Sequence, residues 1–150
     1  MMEKDEVIRL QCIKQASIKY KQISLWLIAG LALAILFACR VSKACDEILP
    51  HVVNPLVVSC LFSLVCSTAY GEAWKATAKS SPTNLAKFYM TASGLKLMAA
   101  SVVVLIYVAV CDKQEVLGFA VIFALFYIIF LWFDCIYFAR VEKRNKINKK

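Results

Sequence analysis

Glycine, histidine and acidic residues are scarce in this 150-residue chain, and each shortage removes a class of chemistry. Of only four glycines, Gly30, Gly94 and Gly118 fall within or next to apolar runs, so no glycine-rich loop is available to cradle a phosphate. The single histidine, His51, follows Pro50 at the mouth of an apolar segment. Without a second histidine or a carboxylate cluster, no hydrolytic metal site can be assembled. The seven cysteines (Cys12, Cys39, Cys45, Cys60, Cys66, Cys111 and Cys135) include no C-x-x-C pair and read as free structural thiols. One disulfide among Cys39, Cys45 and Cys111 is open if their compartment is oxidising. No segment alternates with period two, which excludes a β-barrel. The expectation is a non-enzyme with no catalytic residues, no cofactor, no metal and no nucleic-acid partner.

What the chain has in excess is apolar residues. They make up 61% of it, with a mean hydropathy of +0.68, against about 45–50% in a soluble domain. A chain this short buries only about 70% of its unfolded surface, so a water-soluble core cannot absorb the surplus. Four runs, at 23–39, 52–70, 90–111 and 116–139, each approach or exceed the roughly 20 residues that cross a bilayer. Leu36-Phe37-Ala38-Cys39 faintly resembles a lipoprotein cleavage box. However, the long preceding segment carries Glu3, Asp5 and Glu6, and Arg40 follows directly, which favours an uncleaved span. The predicted fold is all-α: a polytopic membrane protein with four transmembrane helices in a bundle, its main partner the lipid bilayer.

Charge sets the orientation. Lys4, Arg9, Lys14, Lys19 and Lys21 precede the first run; Lys75, Lys79 and Lys87 lie between the second and third; Arg140, Lys143, Arg144, Lys146, Lys149 and Lys150 close the chain. The alternate side holds only Arg40, Lys43 and Lys113. Fourteen against three predicts that both termini are cytoplasmic. The arm 1–22, with Val7, Leu10, Ile13 and Tyr20 among basic residues, reads equally as an interfacial amphipathic helix or a solvated extension. The tail 140–150 is polybasic; it reads either as attracted to anionic headgroups or as enforcing topology only. Residues 71–89 form the longest connection, with a breaker cluster at Ser80-Ser81-Pro82-Thr83-Asn84. The short turn at Asp112-Lys113-Gln114-Glu115 predicts a tight antiparallel hairpin of the last two spans.

Small residues at helical spacing mark expected packing faces: Gly30, Ala34 and Ala38 in the first span, Ser59, Ser63 and Ser67 in the second. Phe119, Phe123, Phe126, Phe130, Phe133 and Tyr137 form an aromatic stripe in the fourth, a packing or lipid-facing surface. Two ionisable residues lie within spans, Lys96 and Asp134. Each costs about 2.5–3.5 kcal/mol on insertion scales, so each needs a partner or a water path. Both sit about 9 Å inside the same edge and fall opposite each other in the hairpin. Ser93, Ala100 and Tyr107 accompany Lys96, and Ala120, Ala124 and Tyr127 accompany Asp134. They form the candidate intramembrane polar pair, either an ion pair locking the hairpin or a functional site, with snorkelling of the lysine as a further option.

The segment Lys87-Phe88-Tyr89-Met90-Thr91-Ala92-Ser93-Gly94-Leu95-Lys96-Leu97-Met98 resembles the start of the third span in bacterial ATP synthase subunit I proteins of the AtpI type. The close of the fourth span, Phe130-Leu131-Trp132-Phe133-Asp134, resembles that of some divergent members. The likeness covers about residues 84–140. The family pattern often has Gly-Glu shortly before the lysine, where this chain has Ser93-Gly94. The resemblance implies a non-catalytic helper in the bacterial inner membrane that assists assembly of the ATP synthase rotor ring, its partners being rotor-ring subunits. Some family members have been proposed to handle magnesium. The alternatives are a small four-helix transporter or ion-handling protein using Lys96 and Asp134, and an accessory subunit with packing roles only. A homo-oligomer also remains open. Four-helix drug exporters usually carry an acid in the first span, and here no charge lies within 23–39.

Overall fold

A computed structural model describes residues 2–42, 45–80 and 84–147. Four helices account for nearly all of them: α1 Met2–Val41, α2 Cys45–Ser80, α3 Leu85–Val110 and α4 Lys113–Ile147. All four are long and apolar enough to cross a membrane. This is the architecture of an integral membrane protein, since in lipid each backbone N–H and C=O must be satisfied within its own segment. The helices outrun the apolar segments chiefly at the end bearing the termini, where residues 2–22, 71–80, 85–89 and 140–147 extend them.

Two of those extensions change the reading of the connections. The arm 1–22 is neither a separate interfacial helix nor a loose extension. Residues 2–22 continue the first span in one helix of 40 residues, about 60 Å long. Ile13, Ser17 and Tyr20 of this segment are buried in the bundle, so its inner face is fixed by packing. Likewise residues 71–80 prolong α2 and 85–89 begin α3, so the long connection at 71–89 is mostly helix. Most of the breaker cluster, residues 81–83, lies outside the described residues, as do Lys43 and the last three residues of the tail. Cys111 and Asp112 alone separate α3 from α4, and the Asp112 carbonyl accepts the backbone N–H of Glu115 and Val116.

Three apolar clusters stack along the bundle. At the end bearing the termini, Ile13 and Tyr20 of α1 meet Tyr70, Trp74 and Ala78 of α2 and Phe138 of α4, with Leu85 and Phe88 of α3 against them. In the middle, Ile28, Leu56, Phe126 and Phe130 join α1, α2 and α4. At the far end, Ala100 of α3 packs with Phe119 and Phe123, where Tyr107 stacks on Phe119 with ring centroids 3.7 Å apart. The aromatic stripe of α4 is therefore largely a core face. Ala100 is the one buried residue of α3, which makes it the most lightly seated helix.

The predicted small-residue faces divide. Ser59, Ser63 and Ser67 are buried, as are Ser17 and Ser24 of α1. Gly30, Ala34 and Ala38 point outward, and no other helix lies within 4 Å of a Cβ built on Gly30. Ala120 and Ala124 are also exposed. The physical reason is angular: at about 100° per residue, the buried Phe119, Phe123, Phe126 and Phe130 lie on one side of Asp134, and Ala120 and Ala124 lie about 40° and 80° to the other. Close approach of α1 and α2 is set instead at Gly71, whose carbonyl accepts Ser17 Oγ at 3.2 Å. A Cβ on Gly71 would meet the Tyr20 ring at 3.2 Å.

Candidate functional site

Each helix contributes one residue to a polar node near the end of the apolar zone. On α4, the inward arc that carries Phe123 and Phe130 continues to Asp134, which is 4% exposed. From α3, Lys96 reaches it with an ammonium-to-carboxylate ion pair to Oδ2. From α1, the Tyr20 hydroxyl donates to Oδ1 at 2.5 Å. From α2, Tyr70 presents its ring to Lys96 Nζ, 4.6 Å from the centroid. Both carboxylate oxygens are thus occupied, one by a charge and one by a hydroxyl. The lysine charge is balanced by the carboxylate and by a π face, an arrangement that gains strength where water is excluded.

Lys96 and Asp134, expected to pair across the hairpin, are in contact between α3 and α4. Two partners were not foreseen. Tyr20 counts in the sequence only as one apolar position of the arm. What signals more is its place three residues before the first apolar run, one side of which it shares with Ser17 and Ser24. Tyr70 closes the second run and immediately precedes Gly71, a point of close approach between α1 and α2. Tyr20 is fully buried and stacked on Phe133 at 5.7 Å, with Phe138 at 4.9 Å on another side. Its hydroxyl is therefore held at one point rather than free to rotate away.

Further bonds support this layer. Trp74 Nε1 donates to Tyr89 Oη at 3.1 Å, tying α2 to α3, and Tyr137 Oη donates to the Ala16 carbonyl at 2.8 Å, tying α4 to α1. Just outside, Glu72 binds Lys21 and, at 3.6 Å, Lys75. Deeper in the bundle, a small cavity of about 20 Å³ is lined by Lys96, Ser63, Cys66 and Tyr127, among others. That is room for about one water molecule, which suits the remaining donor capacity of the Lys96 ammonium. At the far end of the bundle, His51 Nδ1 and Glu115 Oε1 lie 2.8 Å apart.

Among the described residues no three His, Cys, Asp or Glu side chains cluster as a metal site would require. Cys12, Cys39, Cys60, Cys66, Cys111 and Cys135 are free thiols, and the side chain of Cys45 lies outside the described residues. Comparison with protein-family models, with curated proteins and with solved structures gave no match.

Proposed function

We propose that the protein is a non-catalytic helper of the F-type ATP synthase that assists assembly of the membrane rotor ring. On this reading it lies in the bacterial inner membrane with both termini cytoplasmic, an orientation that the fourteen-to-three distribution of basic residues supports. The observation that carries the reading is the pairing within the node: Lys96 and Asp134 neutralise each other, the Tyr20 hydroxyl takes the second carboxylate oxygen, and the Tyr70 ring lies over the ammonium. A pair engaged in this way serves to hold four helices together, leaving the outer faces to act on other membrane proteins. The resemblance over residues 84–140, which includes Lys96 and Asp134, supplies the identity of the assembly. The outward row Gly30, Ala34 and Ala38 provides a surface on which a rotor-subunit helix can pack closely.

Two measurements test this reading. A photo-reactive residue at Ala34 should cross-link to the rotor-ring subunit during assembly, and deletion of the gene should lower the yield of assembled ring. Normal ring yield together with no cross-link would overturn the proposal. In the competing transporter reading, purified protein in vesicles moves a cation or an amphipathic solute, and Asp134→Asn abolishes that movement while the bundle stays folded.

A further inference from the structure

The end of the bundle that bears the termini carries cations at one level on all four helices. Tyr20, Tyr70, Trp74, Phe88 and Phe138 form a connected aromatic layer, with centroid separations of 4.9 Å for Tyr20–Phe138, 5.1 Å for Trp74–Phe138 and 5.5 Å for Tyr70–Phe88. Because these side chains point inward, their chain neighbours are turned about 100° away. Lys19 lies next to Tyr20, Lys75 next to Trp74, Lys87 next to Phe88, and Arg140 two residues past Phe138. Lys79, Lys143 and Arg144 follow within about a turn.

Few acids oppose them. Glu72 is engaged by Lys21 and Lys75. Glu142 is the other acid at this level, and Lys19, Lys79, Lys87, Arg140, Lys143 and Arg144 make no ion pair among the described residues. The far end has no such excess, with Arg40 and Lys113 against Asp46, Glu47, Asp112 and Glu115 among the described residues.

Depth is marked independently. Trp26 and Trp132 are 73% and 68% exposed, and each lies six residues toward the middle of the bundle from the aromatic layer, Trp26 from Tyr20 and Trp132 from Phe138. That places both about 9 Å inside it. Outward tryptophans at one depth with cations farther out is the order of a bilayer interface, indole at the carbonyl level and cation at the phosphate level.

We infer that this collar binds the phosphate-bearing headgroups of anionic phospholipids, selecting them for the lipid annulus in the leaflet that faces the helix termini. The cations radiate from every helix at a common height, so a docked protein covers only one side of the belt while a ring of lipids covers all of it. Each cation held at this surface attracts an anionic headgroup, and the effect falls off within a Debye length.

The test compares association of spin-labelled phosphatidylglycerol and phosphatidylcholine with the protein in phosphatidylcholine vesicles. The wild-type chain should prefer phosphatidylglycerol, and the preference should weaken as salt is raised. The triple variant Lys19→Gln, Lys87→Gln, Arg140→Gln should lose about five-fold or more of it, the equivalent of at least one cation. Lys113→Gln at the opposite end should change nothing. Equal association of the two lipids with the wild type would overturn the inference, as would an unchanged preference in the triple variant. Two further outcomes reassign the collar: inorganic phosphate abolishing the preference at constant ionic strength points to a site for the free anion, and salt-sensitive capture of an acidic protein without lipid preference points to a protein interface.

Discussion

Removing the Tyr20 hydroxyl should have opposite effects on stability depending on whether Asp134 is present. In the wild type, Tyr20→Phe deletes a hydrogen bond to a carboxylate buried to 4% exposure, at a cost of about 1.5–3 kcal/mol. In an Asp134→Leu background the same hydroxyl is fully buried with its acceptor gone, so its removal should restore about 1 kcal/mol or more. The single charge deletions set the frame. Lys96→Met leaves the Asp134 carboxyl without its counter-charge beside one hydroxyl, its side chain 5% exposed and too short to reach water. The cost should be about 3 kcal/mol, near the price of a lone charge in a span and at the lower bound for breaking a buried pair. Asp134→Leu leaves a lysine that is longer, 11% exposed and already over the Tyr70 ring. Part of its charge penalty is relieved by snorkelling, to about 2 kcal/mol, with the orphaned tyrosine adding about 1 kcal/mol. The triple variant Lys96→Met, Asp134→Leu, Tyr20→Phe should return to within about 1 kcal/mol of wild type, as replacement of a whole buried pair by apolar side chains allows. Unfolding in mixed micelles, followed by tryptophan emission, measures each corner. Trp74 is a natural reporter because it is 2% exposed and packs 5.1 Å from Phe138 within the same layer. If Tyr20→Phe destabilises equally in both backgrounds, the hydroxyl does not act through Asp134 and the reasoning fails. Restored stability in the triple variant with lost rotor-ring assembly would show that the node also serves function.

Other expectations follow from the packing. Gly71→Ala should destabilise by about 1–3 kcal/mol, because the new Cβ meets a Tyr20 ring that Phe133, Phe138 and Asp134 hold in place. Gly30→Ala, which has nothing within 4 Å, should be neutral or add up to about 1 kcal/mol through helix propensity, both read in the same unfolding assay. Phe126→Ala should cost about 2 kcal/mol, mainly for the cavity, since lipid already solvates the ring in the unfolded chain, whereas Ala124→Leu on the outward face should leave the midpoint unchanged. For topology, a C-terminal alkaline phosphatase fusion should be inactive and a C-terminal fluorescent protein bright; an active phosphatase would reverse the assigned orientation.

Hydropathy alone was enough to predict four spanning helices, because crossing lipid requires an apolar run of bilayer length and an internally bonded backbone, and both are local properties. It could equally put Lys96 and Asp134 at one depth, since the rise per residue is fixed and the turn between their helices is short. The helices' inward faces were not legible in the same way. Every side of these segments is apolar, so Gly30, Ala34 and Ala38 looked as fit for the interior as Ser59, Ser63 and Ser67, and only the packed bundle separated them. The arm gave a mixed signal for a related reason: its helix is stabilised by Ile13, Ser17 and Tyr20 lying against α2 and α4, contacts across more than 50 residues of chain. The third member of the node was hidden for the same cause. A tyrosine outside the apolar run shows no preference for a carboxylate far along the sequence, and it becomes that carboxylate's partner only when Gly71 lets α1 approach α2 closely enough to bring its hydroxyl to Asp134.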